Sequence, residues 1–319
     1  MEYLKYLLLV VSLSFSVTRS LLLKKVKRKS PFFEEVRLNV MFFFVGMLAI
    51  LPFVVSAFDN ISVQPLHLSA IYGLLLMAGL ICTLEAMARG SLSLTVFFGQ
   101  CGFLIPTVFN ALYFKESVSI VTAAGIVLIV VSLVLTIDRK DFKFSYSWLI
   151  FAVSGLICSG LIGIDQKFLA VYYPQAKQTL FADFSLAFAV LFGLIAMLVT
   201  FLKNRKKQPE GAFESSTAAI AADNAQGPAA IATSSKGEKL RMVFIVAIGI
   251  FYGVINVLNT YLSGALPSVV FFPVYNVGVI VSVTVVSALV YKDKLSVKQI
   301  ISIVLGSLAI VVIAVGRIT

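Results

Sequence analysis

The sequence predicts an all-α integral membrane protein of ten transmembrane helices, arranged as two inverted five-helix repeats. Three observations predict it. Hydrophobic residues make up 60% of the 319-residue chain and charged residues 13%, and mean hydropathy is +1.00. A soluble domain carries about 25% charged residues, so this chain lacks the polar side chains to cover itself. The apolar runs recur at the roughly 17–25 residues needed to cross a hydrocarbon core about 30 Å thick. In lipid such runs must be helices, because the backbone has no water to satisfy its polar groups. Finally, one long segment occurs twice, over 96–136 and 270–315. Each copy opens with Val-Phe-Phe (Val96-Phe97-Phe98, Val270-Phe271-Phe272) and reaches a charged turn (Lys115-Glu116, Lys292-Asp293), with Ser119 or Ser296 beyond it. The triplets lie 174 residues apart and the turns 177. Apolar bias alone does not place a Lys-acid pair in register.

Taken in order, the spans fall at about 2–22, 38–57, 68–88, 91–113, 118–137, 147–166, 179–201, 242–263, 268–290 and 297–316. The first is apolar without a basic leader; the cluster Lys24, Lys25, Lys27, Arg28 and Lys29 follows it, so it is read as a mature helix rather than a signal peptide. The fourth carries Gly99, Gly102 and Pro106, and the ninth Pro273 and Gly278, as potential breakers. Between the seventh and eighth lies the polar stretch 203–240, which opens on Lys203, Arg205, Lys206 and Lys207 and continues in Ala, Ser, Gly and Pro. It lacks apolar periodicity and reads as a flexible linker. Ten spans divide into a first half, 1–144, and a second, 145–319. Five helices per half is an odd number, which forces the repeats into opposite orientations.

Charge sets the orientation. Of the 26 Lys and Arg, 20 fall on the side of the loops after spans 1, 3, 5, 7 and 9. That side is therefore expected in the cytoplasm, with loop 203–240 on it and both termini outside. The net charge of +11 is mostly this bias and does not indicate nucleic-acid binding. Cys82, Cys101 and Cys158 sit within apolar spans at spacings that match no metal or disulfide pattern. His67 is the only histidine, which excludes histidine-based metal sites and hydrolytic triads. No Walker A or dinucleotide fingerprint occurs. Neither an enzyme activity nor a cofactor is expected.

The acid-bearing turns Tyr113-Phe114-Lys115-Glu116 and Val290-Tyr291-Lys292-Asp293 precede glycine-bearing fifth helices (Gly125, Gly306). With the stretch from Gly155 to Gln166-Lys167 that opens the second half, they resemble the drug/metabolite transporter superfamily, in its EamA-like branch. The resemblance covers nearly all of the chain outside 203–240. It implies alternating access around a central cavity. Span one departs from the small multidrug resistance members, which use a first-helix carboxylate for proton coupling; here it carries Arg19.

Candidate substrate-binding residues are the polar groups that interrupt apolar helices, since an ionisable group within a span costs at least about 2.5–3.5 kcal/mol and should face a cavity or partner. Arg19 and Glu85 lead. Arg19 suits an anion and Glu85 a cationic group or coupling proton; snorkelling of Arg19 and pairing of Glu85 with Arg89 are the structural alternatives. At an offset of 174, Glu85 corresponds to Asn259, beside Asn256. Gln100, Asn110, Tyr275 and Asn276 follow. The expected function is a secondary transporter of a small organic metabolite in the cell (inner or plasma) membrane. An amino acid or other zwitterion is one option, and a proton or ion one form of coupling. The alternative is a channel or lipid-handling protein on the same fold. The expected partners are the lipid bilayer and a small-molecule substrate, a homodimer is left open, and metal and nucleic acid are not expected.

Overall fold

The computed structural model of the protein describes residues 2–26, 32–55, 65–90, 92–135, 145–207, 235–291 and 297–316. The described residues are helical apart from short connections. In order the helices are α1 (Glu2–Val26), α2 (Phe32–Val55), α3 (Leu66–Arg89), α4 (Leu92–Cys101), α5 (Leu104–Tyr113) and α6 (Ile120–Leu135), then α7 (Tyr146–Tyr172), α8 (Gln178–Lys207), α9 (Ser235–Ala265), α10 (Ser268–Tyr291) and α11 (Val297–Val315). Seven of them, α1, α2, α3, α7, α8, α9 and α10, are long and apolar enough to cross a membrane, while α6 and the stretch Ile300–Ile313 of α11 are shorter apolar segments. The chain is thus a helical protein built as a multi-pass membrane protein would be. Phe53, Val127, Leu194, Val243 and Val304 are all more than half exposed on its outer surface. A water-soluble protein would not leave such a surface apolar on every side.

Several helices begin or end elsewhere than the apolar pattern predicts. The helix α2 starts at Phe32 instead of near 38, and Glu34 and Glu35 occupy its first turn, where acids favour the positive end of the helix dipole. The α7 helix runs to Tyr172, beyond 166, and so takes Lys167 inside it. Both ends of the polar stretch 203–240 are helical, since α8 continues to Lys207 and α9 begins at Ser235. The rest of that stretch, Lys27–Lys29 and the Lys292-Asp293 turn lie outside the described residues.

The fourth predicted span is two helices. Pro106 has no N–H to give the Gly102 carbonyl and its ring crowds that carbonyl. The Ile105 N–H takes it instead, at 3.2 Å, and Gly102 and Phe103 form three-residue turns back to Gly99 and Gln100. Pro273 lies inside α10, which continues through it although the Val269 carbonyl there loses its N–H partner.

The core joins two groups of helices. Phe271, Phe272, Val277, Leu262, Ile129 and Ile313 pack at the meeting of α6, α9, α10 and α11. Val36, Phe43, Met77, Ala182, Leu186 and Ala189 pack α2, α3 and α8 together. The most extensive contacts are α3 on α7 and α8, α9 on α1 and α2, α2 on α8, and α6 on α11. Two crossings bring backbones close. A methyl at Gly73 would stand 2.7 Å from both the Ser185 carbonyl oxygen and the Phe188 Cβ. One at Gly249 would stand 2.6 Å from the Val45 Cβ and 3.1 Å from the Phe42 carbonyl oxygen.

Candidate functional site

Between the two groups lies a cavity of about 340 Å³. Its wall is made by the C-terminal halves of α1 and α3 (Arg19, Gly79, Thr83), the N-terminal half of α2 (Asn39) and the N-terminal to middle turns of α7 and α9 (Gly155, Ser159, Tyr252), with Gly99 of α4. Arg19, Asn39, Thr83 and Gly155 lie toward the helix ends that adjoin the basic loops, so the cavity reaches from the middle of the molecule toward that side. Its apolar surface comes from Phe43, Leu75, Leu76, Leu80 and Ile162.

One turn deeper along the same helices, a polar network forms the floor. The Tyr72 hydroxyl donates to Asn256 Oδ1 at 3.0 Å. Gln166 Nε2 donates to the Tyr72 oxygen at 3.3 Å and to Thr260 Oγ1 at 3.2 Å. Thr260 in turn donates to the Asn256 carbonyl. The chain thereby links four polar side chains across α3, α7 and α9 where water is scarce.

Beyond the floor, the opposite side is closed by a buried carboxylate. Lys115 takes the left-handed conformation, with φ 53°, directly after α5. The Glu116 N–H returns to the Ala111 carbonyl at 3.0 Å, the six-to-one bond of a Schellman stop. That turn aims Glu116 at the start of α10. One carboxylate oxygen accepts the Ser268 N–H at 2.7 Å, an N-terminal donor with no intrahelical partner. The other accepts the Ser268 hydroxyl at 3.2 Å and pairs with Lys167 Nζ at 2.7 Å. Both charged side chains are about nine-tenths buried. Asn110 Nδ2 donates to the Ser268 hydroxyl oxygen at 3.1 Å. Four elements are thus tied at one point.

The predicted residues fall in different places. Arg19 lines the cavity with its guanidinium carbon 4.9 Å from the centre of the Tyr252 ring. Its Nε is buried with no hydrogen-bond partner among the described residues. Glu85 pairs with Arg89 at 2.7 Å along its own helix and does not line the cavity. Gln100 ends α4 beside Gly99, and its carbonyl accepts the Phe103 N–H. Asn256 is in the floor, with its Nδ2 unpartnered. Asn259 accepts from Ser12 at 2.7 Å and the Tyr275 hydroxyl lies 2.5 Å from that of Ser16, so both tie α1 to the second half. Asn276 donates to the Phe272 carbonyl of its own helix. Asn110 belongs to the closed side. Among the described residues no three His, Cys, Asp or Glu converge to hold a metal.

Tyr72, Tyr252, Gln166, Thr260, Lys167 and Glu116 are not among the residues that the sequence singles out for binding. The run Asp165-Gln166-Lys167 inside an apolar segment was the available signal, discounted because the span was ended at 166.

Fold and cavity together define a helical protein with membrane-length helices around a cavity that Arg19 lines. No family model matches the sequence, and no curated protein is significantly similar to it. A solved structure described as "Crystal structure of protein" shares the fold, with a TM-score of 0.70 and 15% identity over 98% of this chain and 97% of that one.

Proposed function

We propose that the chain is a ten-span secondary transporter of the EamA-like kind, two inverted five-helix repeats that move a small organic metabolite by alternating access. The observation that carries the reading is the asymmetry of the site: a cavity open on one side of the floor, and a buried ion pair sealing the other. A channel at rest needs no such opposition; a carrier caught in one of its two states does. By the positive-inside bias the cavity faces the cytoplasm of a cell membrane.

Exchanged contacts support the two-repeat reading. Gly73 against Ser185 and Phe188 has its counterpart in Gly249 against Phe42 and Val45. Thr83 against Gly155 has its counterpart in Asn259 bonded to Ser12. Gly125 against the Ala309 carbonyl is matched by Ser302, which donates to the Ser132 carbonyl. Each pair is carried onto the next by one constant shift per helix, which chance packing would not give. In this register Asn259 corresponds to Thr83 and not to Glu85, two residues on.

Flux into proteoliposomes tests the proposal. The three cysteines are first replaced by Ala, and Asn110→Cys and Ser268→Cys are then bridged by a bifunctional thiol reagent. Saturable uptake of one class from a panel of amino acids, monocarboxylates, sugars and nucleosides is expected, abolished by the bridge and restored by its cleavage. Non-saturable flux indifferent to the bridge would favour a channel.

A further inference from the structure

We propose that the cavity is a binding site for a small organic monoanion, a monocarboxylate with an apolar body, held by Arg19. This rests on the transporter reading for its purpose but on the cavity alone for its chemistry.

Arg19 is the ionisable side chain bearing a full charge among the residues that line the cavity; the other polar ones, Asn39, Thr83, Ser159 and Tyr252, are neutral. Glu85, which sequence reading paired with it as the cation-binding half of a zwitterion site, is bound to Arg89 outside the cavity. Glu35 lies one turn from Asn39 on α2, and its carbonyl accepts the Asn39 amide, but it does not line the cavity. A cationic ligand would meet Arg19 unopposed. A zwitterion would bring an ammonium to a lining that holds no carboxylate, the buried Asp165 lying beside Tyr72 of the floor and not in the lining, and an unpaired charge is costly to remove from water. A dianion would carry one charge more than the site can match.

The geometry of the guanidinium points the same way. Tyr252 covers one face of it at 4.9 Å, which fixes its plane. Its Nε is buried and unpartnered. Carboxylates bind arginine through two parallel N–H···O bonds, and with Nε shut off from the cavity the two terminal nitrogens are the fork that Arg19 offers. Phe43, Leu75, Leu76, Leu80 and Ile162 offer an apolar wall for the rest of the molecule. The volume, about 340 Å³, sits at the small end of ligand cavities.

Four probes built on one carbon skeleton decide the charge. They are 3-phenylpropanoate (anion), 3-phenylpropylamine (cation), phenylalanine (zwitterion) and benzylmalonate (dianion). Each is titrated against the purified full-length protein in detergent, with thermal stability and calorimetric binding as readouts. The anion should bind saturably and raise Tm, and the other three should bind at least tenfold more weakly. Arg19→Lys keeps the charge and loses the fork, so affinity should fall roughly tenfold; Arg19→Gln should lower it roughly 100-fold. Should Arg19→Gln prove unstable without ligand, Arg19→Lys carries the test. Preference for the amine or the amino acid overturns the proposal, as does equal binding by wild type and both variants, or no binding of the anion at millimolar concentration. Proteoliposome flux separates the two readings. Anion binding without flux sinks the transporter and leaves the site; flux of a cation or zwitterion sinks the site and leaves the transporter.

Discussion

A single glycine can be held by packing or by emptiness, and the two cases behave oppositely when a methyl is added. At Gly73 and Gly249 a neighbouring helix occupies the place a Cβ would take. Gly73→Val and Gly249→Val should each destabilise by roughly 1–3 kcal/mol, the usual cost of overpacking, seen as a lower Tm in detergent. Close backbone approach at small residues is also how helices associate in lipid, where no hydrophobic force drives them together. Gly99 is different. Nothing lies within 4 Å of its place for a Cβ, and it lines the cavity. Gly99→Ala should therefore gain up to about 1 kcal/mol from helix propensity, while Gly99→Leu should weaken binding of any cavity ligand at unchanged or higher Tm. Stability lost in parallel with binding at Gly99 would mean that the empty volume is a packing site and not a binding one.

Apart from α4 and α5, which the sequence runs together as one span, each helix was legible as an apolar run, but its ends were not, because hydropathy sees lipid depth and not hydrogen bonds. The first turn of α2 and the stretch of α7 around Asp165 and Lys167 carry charges that a hydropathy window ends on, yet their backbones remain helical. The break after α4 needed the pairing of Pro106 with a Gly102 pressed against Ser159, a contact between α4 and α7 that no local pattern records. The candidate site was legible in part. Polar interruptions led to Arg19 and Asn256, whereas Glu85 and Asn276 spend their groups within their own helices. The turn after α5 was seen, and its purpose was not. Lys115 holds a conformation that costs a side-chain-bearing residue about 1–2 kcal/mol, and it does so to swing Glu116 onto α10. Lys115→Gly should recover much of that, raising Tm, and Lys115→Val should lower it. If neither substitution moves Tm, the turn relaxes freely and the aim of Glu116 does not depend on it.

At the scale of the whole molecule, the closed side depends on one buried pair whose partners come from the two predicted halves. Glu116 stands in the turn that ends the fourth predicted span, and Lys167 in α7. Asp293, which the proposed repeat matches with Glu116, lies outside the described residues. Breaking a buried pair from one side strands a charge and costs about 3–5 kcal/mol, whereas removing both charges costs far less. Glu116→Gln and Lys167→Gln should then each be strongly destabilising to the closed arrangement, and the double variant should recover most of the loss, a coupling that a double-mutant cycle measures. Glu116 carries a second burden that Lys167 does not: it satisfies the first backbone donor of α10. The single variants should therefore be unequal, with Glu116→Ala worse than Lys167→Ala. If the pair is a gate, the loss appears as opening before it appears as unfolding. A cysteine at Asn110, buried beside Ser268 in the closed state, should be modified by a membrane-impermeant thiol reagent several-fold faster in the Lys167→Gln background at temperatures well below Tm. Faster modification only where the protein also melts would make the pair a staple of the fold instead, and the two sides of the floor would no longer be two states of one carrier.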